Sequence, residues 1–186
     1  MGRLRSLLAA ATLAVVVLTA GLAHATVVVP LSLEEQVIQS DLVVRARVGT
    51  SRSAFVPERG AILTWTELEV TEVLKGQAPS TLVLRQMGGT ADGQTMYVPG
   101  DAHLVTGDDV VLVLRHDPEG SENVFLLSLA QSVWFVNGGQ AQRDLTQLTY
   151  AILGQQGMQL TETGREAPVA VETLVSRIRQ IAGGAR

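Results

Sequence analysis

The chain has 186 residues, with 14 basic and 18 acidic side chains, a formal net charge of −4, no cysteine and 4% aromatic residues. The missing cysteines exclude thiol nucleophiles, thiolate zinc sites and a disulfide framework. A net negative charge without a basic cluster argues against nucleic acid as a partner, and so few aromatic rings weaken any stacking platform for sugars or bases.

The first 25 residues read as a signal peptide. Arg3 and Arg5 form a short positive region, Leu7 to Ala23 is almost wholly apolar, and Ala23-His24-Ala25 supplies the small residues that a signal peptidase requires. The apolar run is also about the minimum for a membrane anchor, but its Ala-x-Ala ending favours cleavage. Cleavage leaves 161 residues with 12 basic and 18 acidic side chains, a net charge of −6. The expected location is secreted or periplasmic, in a bacterium, with no membrane span after cleavage. A chain of this size forms one domain and buries about two thirds of its surface without disulfides. Its basic residues are 13 Arg and one Lys, Lys75, a bias that reads as genome composition.

Thr26-Val27-Val28-Val29 is β-branched and predicts a short strand ended by Pro30. Ser32-Leu33-Glu34-Glu35 fits a capping box at the start of a short helix that Ser40-Asp41 closes. Leu42 to Val48 alternates as a strand with Arg45 and Arg47 outward, and the polar stretch Gly49 to Gly60 predicts a long hairpin loop. Ala61 to Gly89 organises the rest. Ile62, Leu68, Val70 and Leu74 take even positions against Trp65, Glu67, Glu69 and Thr71 on odd ones, which is the period of a strand with one buried face. The phase slips near Glu72-Val73, as at a bulge. Lys75 to Pro79 then turns the chain, and Thr81 to Gln86 runs back to a Gly88-Gly89 turn.

Met96-Tyr97-Val98 predicts a short strand, and Thr106-Gly107-Asp108-Asp109 a tight turn. Val110 to Leu114 is a continuous apolar run, expected of a strand covered on both faces. His116 to Asn123 is a hairpin loop, Val124 to Leu129 and Val133 to Val136 are strands, and Asn137-Gly138-Gly139 is a turn. Tyr150 to Glu166 shows little order, with one or two helical turns expected within Leu145 to Leu153. Pro168 stands at a first helical position, followed by Val171, Leu174, Val175, Ile178 and Ile181 at helical spacing and by Gly183-Gly184. The fold class expected is mainly β, a small antiparallel barrel or sandwich of OB type with a short N-terminal helix and an amphipathic C-terminal one. The expected division is 1–25 signal peptide, 26–144 β-domain, and 145–186 an extension whose helix packs on the sheet.

Four motifs occur in order between Thr26 and Val136: Ser40-Asp41-Leu42-Val43-Val44, Val70-Thr71-Glu72-Val73-Leu74-Lys75-Gly76, Gly88-Gly89, and Gly107-Asp108-Asp109-Val110-Val111-Leu112-Val113-Leu114. This pattern resembles a family of uncharacterised secreted bacterial β-domains, some of which stand beside matrixin-type protease modules. The strand order is also similar to the oligonucleotide/oligosaccharide-binding (OB) barrel of tissue metalloprotease inhibitors. Those inhibitors chelate the protease zinc through an N-terminal cysteine. The expected mature N-terminus here is Thr26, so that mechanism does not carry over.

Candidates for chemistry are few. His103 and His116 are the histidines left after cleavage, and Asp101, Asp108 and Asp117 lie near them, but no Gly-x-Ser-x-Gly elbow accompanies them; surface histidines without a catalytic role are the plainer reading. Gly88 to Gly93 is a turn requiring positive φ before it is a phosphate cradle, because strands flank it. Asp117, Glu119, Ser121 and Asn123 alternate as calcium ligands would, though Pro118 stiffens the loop and no bidentate acid follows, so a solvated hairpin tip is the simpler account. Trp65 and Trp134 are candidate anchors for a protein or sugar partner, though a half-buried aromatic under the terminal helix is the commoner arrangement. No cofactor is expected. The expected function is a secreted, non-catalytic module that binds or regulates an extracellular protein such as a protease. A small hydrolase with a Ser/His site and a structural part of an envelope assembly are the alternatives.

Overall fold

The computed structural model describes residues 26–154 and 157–184, so the signal-peptide reading of residues 1–25 lies outside the described residues. The chain opens with β1 (Thr26–Val28) and the helix α1 (Leu33–Gln39). The capping box forms as its sequence requires: the Ser32 hydroxyl accepts from the Glu35 amide at 3.2 Å, and the Ser32 amide donates to the Glu35 carboxylate at 2.8 Å.

Five strands then close a barrel: β2 (Leu42–Val56), β3 (Ala61–Lys75), β4 (Thr81–Met87), β7 (Asp109–His116) and β8 (Asn123–Leu126). Around the ring β2 pairs β3, β3 pairs β4, β4 pairs β8, β8 pairs β7, and β7 returns to β2. All these pairings are antiparallel except β4 with β8. That order, with its one parallel pair, is the connectivity of an OB-type barrel, as the sequence pattern leads one to expect.

The strand β7 has two successive partners along one edge within a single eight-stranded sheet. Its start pairs with β9 (Val133–Asn137), and its end pairs with β8. From β9 the sheet continues outside the barrel through β10 (Gln140–Gln142) to β13 (Val169–Ala170). Side chains alternate faces along β7, so Val110, Leu112 and Leu114 fill the barrel with Val44, Leu68 and Leu84, whereas Val111 and Val113 point outward. The outward row packs with Trp134 under α1 and the terminal helix α2 (Val171–Gly184), whose Leu174, Val175 and Ile178 are buried. Both faces of Val110–Leu114 are therefore dry, which explains a run without polar alternation.

The phase slip in β3 is a double bulge. Register shifts leave Leu74 unpaired between Val43 and Val44 and Thr71 unpaired between Arg45 and Ala46. Other expectations require correction. Gly49–Gly60 is not a long loop: Ser51–Val56 pairs residue by residue with Ala61–Thr66, and a single 3-10 turn at Pro57–Arg59 with left-handed Gly60 joins them. The arm is polar because cross-strand hydroxyl pairs, Ser51 with Thr66 and Ser53 with Thr64, stand where a hairpin would usually place apolar pairs. Leu145–Leu153 holds no helical turn, and the following segment is ordered. Here β11 (Leu148–Gly154) pairs parallel with β1 and antiparallel with β12 (Gly157–Glu162). The helix α2 starts at Val171, three residues after Pro168, because β13 intervenes. The short strand expected at Met96–Val98 lies at β6 (Gln94–Met96), hairpinned to β5 (Gly89–Ala91) through Asp92-Gly93, both at positive φ.

Candidate functional site

The family-like motifs prove to be structural devices. The Lys75 ammonium donates to the carbonyls of Val37 and Ser40 at 2.5 Å and of Ile38 at 3.2 Å, closing the C-terminal end of α1. Burial lowers the Lys75 pKa, and the charge of Asp41 opposes that shift. Gly76 follows at φ 80°, where a Cβ would stand 2.6 Å from the Asp41 carbonyl. In the Gly107-Asp108-Asp109 turn, Asp108 accepts from the Val105 amide at 2.8 Å, and Asp109 takes a bidentate pair of bonds from Arg45 at 2.6 and 3.0 Å. The side-chain hydrogen bond to Asp109 is the largest influence raising the Arg45 pKa.

The proposed calcium ligands spend their oxygens on one another. Asp117 accepts from the Glu119 amide at 3.0 Å and from the Ser121 hydroxyl, while Ser121 accepts from the Asn123 side chain at 2.8 Å. The Asp117 side chain is 1% exposed, beside Arg85 at 3.3 Å. Its pKa lies below the ordinary carboxylate value because the Ser121 hydroxyl, then the Glu119 amide, bond its charged form. Glu119 turns away to Arg59. Among the described residues no group of three His, Cys, Asp or Glu side chains is placed to hold a metal ion. His116 is exposed at the mouth of the same loop, in an open cavity that Arg59, Arg85 and Arg115 also line.

Trp65 lies half-buried on the outer barrel face with Arg52 over its ring at 4.7 Å. Trp134 is buried beneath α2, with Arg143 at 4.8 Å over its ring. Neither is an exposed anchor.

Two surfaces that the sequence reading did not single out stand apart. The first is a groove of about 280 Å³ beside the turn-proximal half of the β2–β3 hairpin, lined by Ser51, Ser53, Thr64, Thr66, Asp101 and His103 among others. Gly89 forms part of its wall at φ 121°, where a Cβ would overlap Thr64 Oγ1 and lie 2.5 Å from Ser53 Oγ. Burial raises the Asp101 pKa, and the nearby Gln86 side chain and the Ala102 amide, which donates to Asp101 at 2.9 Å, only partly offset this. His103 is exposed, and among the described residues no hydrogen bond links it to a serine or an acid. The groove was legible only as the i, i+2 spacing of Ser51/Ser53 and Thr64/Thr66 on opposed arms, which is uninformative until the arms pair.

The second surface is the outer face of β1–β11–β12. Registered neighbours share a face, so Val27 beside Thr149, Ala151 beside Leu160 and Leu153 beside Met158 line up on one side. The opposite side carries Leu148 and Tyr150 into the barrel core. On the outer side Val27 is 52% exposed, Leu160 60%, Met158 69% and Leu153 86%. All of β12 is exposed, and it is the edge of its sheet.

No protein-family model and no curated protein matches the chain. Among the described residues no helix is long and apolar enough to cross a membrane. The fold and surfaces define a small OB-type β-barrel with two helices on one flank, a polar groove at one end and an apolar sheet face.

Proposed function

We propose that this chain is an exported, non-catalytic module that binds another extracellular protein. One observation carries the reading: the row of Val27, Leu160, Met158 and Leu153 on one sheet face, exposed and beside a strand edge that pairs with no further described strand. Water-exposed aliphatic side chains gathered on one face mark an interaction surface, and scattered single ones do not. The strand β12 carries no lysine or proline to discourage pairing, and its one charge, Glu162, stands at its end, so the Met158–Leu160 stretch of the edge suits a partner strand. A protease is the partner class implied by the family resemblance, and export rests on the reading of residues 1–25. The test is capture from the producing organism's culture supernatant with the parent and with a Leu153→Glu, Leu160→Glu variant of unchanged melting temperature. Loss of the captured protein in the variant is expected; equal capture refutes the reading.

The hydrolase alternative has one observation in its favour, the groove that brings Ser51, Ser53, Asp101 and His103 to a common cavity. Among the described residues it lacks the nucleophile–base contact that such chemistry uses. The double variant His103→Ala, His116→Ala is expected to keep its fold and its partner. Turnover of an ester, peptide or glycan by the parent, reduced more than about a hundredfold in the variant, reveals a general base and favours the hydrolase.

A further inference from the structure

The groove is separate from the apolar face, and its hydrogen-bond inventory specifies a ligand. Thr64 Oγ1 donates its single proton to the Gly88 carbonyl at 2.7 Å, so in the Ser53–Thr64 pair, 2.8 Å apart, the proton comes from Ser53. Both hydroxyls are then left with lone pairs alone. The Ser51–Thr66 pair, 2.9 Å apart, spends one of its two protons internally. Tyr97, which lines the groove, donates its phenolic proton to Gln147 at 2.7 Å. Gln86 donates to the Ala102 carbonyl at 3.0 Å. The donors are therefore largely consumed and the acceptors remain.

Asp101 adds a carboxylate to this wall. It accepts from the Ala102 amide at 2.9 Å, and among the described residues it has no cationic partner. Among the described residues the exposed His103 is the only other titratable lining side chain besides Tyr97, and no Lys or Arg lines the groove. A partly buried carboxylate without a counter-charge is unfavourable, and its burial already disfavours the charged form. Phosphates and carboxylates find few unspent donors and, among the described residues, no Lys or Arg here. A donor-rich cation finds both lone pairs and a negative charge. Met87, Met96 and Val98 supply apolar wall beside these acceptors, which suits a methylene stem carrying a charged head.

We propose that this groove is a binding site for a primary ammonium group on an aliphatic stem, with Asp101 as its counter-ion and Ser53 and Thr64 as its acceptors. A lysine side chain, a chain-terminal amine and a free polyamine share that chemistry, and the probes separate them. The purified protein is titrated calorimetrically with Nα-acetyl-lysine methylamide, glycylglycinamide and spermidine, with tetramethylammonium as a cation that has no N–H donor and glucose as a neutral hydroxylated control. At least one of the three ammonium probes is expected to bind, and the one that binds identifies the source. Asp101→Asn, which keeps the size and the Ala102 bond, is expected to weaken it at least about tenfold. Thr64→Val is a second variant that removes an acceptor without touching Asp101, and it is expected to weaken the same probe. The proposal is overturned by no binding of any ammonium probe at millimolar concentration, by equal binding of tetramethylammonium, by binding of glucose alone, or by ammonium binding that both variants retain at full strength.

Discussion

Replacing the one lysine, Lys75, with methionine tests how the α1–β3 junction is held. Methionine retains much of the apolar stem and removes three donors that close on the Val37, Ile38 and Ser40 carbonyls. A hydrogen bond from a charged group is worth about 1.5–3 kcal/mol. The three are not additive, because the Ser40 hydroxyl also bonds the Val37 carbonyl at 2.9 Å and water reaches the half-exposed lysine. The expected loss is therefore that of one good charged bond, about 1.5–3 kcal/mol. At about 2–4 °C per kcal/mol for a chain of this size, the melting temperature falls by about 3–12 °C. Lys75→Arg is not expected to restore it, since a planar guanidinium cannot converge three protons on carbonyls arranged around a point. Denaturant titration of parent and variants, with amide exchange along α1, measures both the global loss and its local origin. An unchanged denaturant midpoint in Lys75→Met, with full protection of Ser40, would refute the reasoning and reduce Lys75 to a surface lysine.

Gly89→Val is expected to cost at least about 1 kcal/mol, because Gly89 sits at φ 121° and its Cβ would overlap the Ser53–Thr64 pair; a variant as stable as the parent would mean that the hairpin absorbs the side chain. Leu174→Asp places a charge among Val37, Val111 and Trp134 and is expected to strip α2 from the sheet, with loss of helical circular dichroism and a fall in melting temperature; an undiminished transition would show that the stripe faces something other than the core. Asp101→Asn is expected to stabilise the protein in a pH-dependent manner. The folded-state pKa of Asp101 is raised, so the parent's penalty is absent below the unfolded value of about 3.9 and grows as pH rises from there to the folded pKa. The variant's advantage should follow that rise and then level off; a pH-independent difference would contradict a buried carboxylate.

Local chemistry made much of this molecule readable. The capping box at Ser32–Glu35, the alternation of Ile62 to Leu74 and the two-faced run at Val110–Leu114 each depend on neighbours within a few residues, so their meaning survives without the fold. The bulges at Thr71 and Leu74 were visible for the same reason, as a lost phase. Ser51 to Val56 escaped, because a polar arm is told from a loop only by the strand opposite it, and β3 supplies hydroxyls in register. Leu148 to Gly154 escaped because its pairing with β1 joins residues more than a hundred positions apart. The role of Lys75 had no local signal at all: it depends on α1 ending where the β3 turn passes. The groove and the apolar face belong to the same category. Each is composed of ordinary residues, and only the closure of the barrel and the register of a three-stranded sheet place their acceptors or their methyl groups side by side.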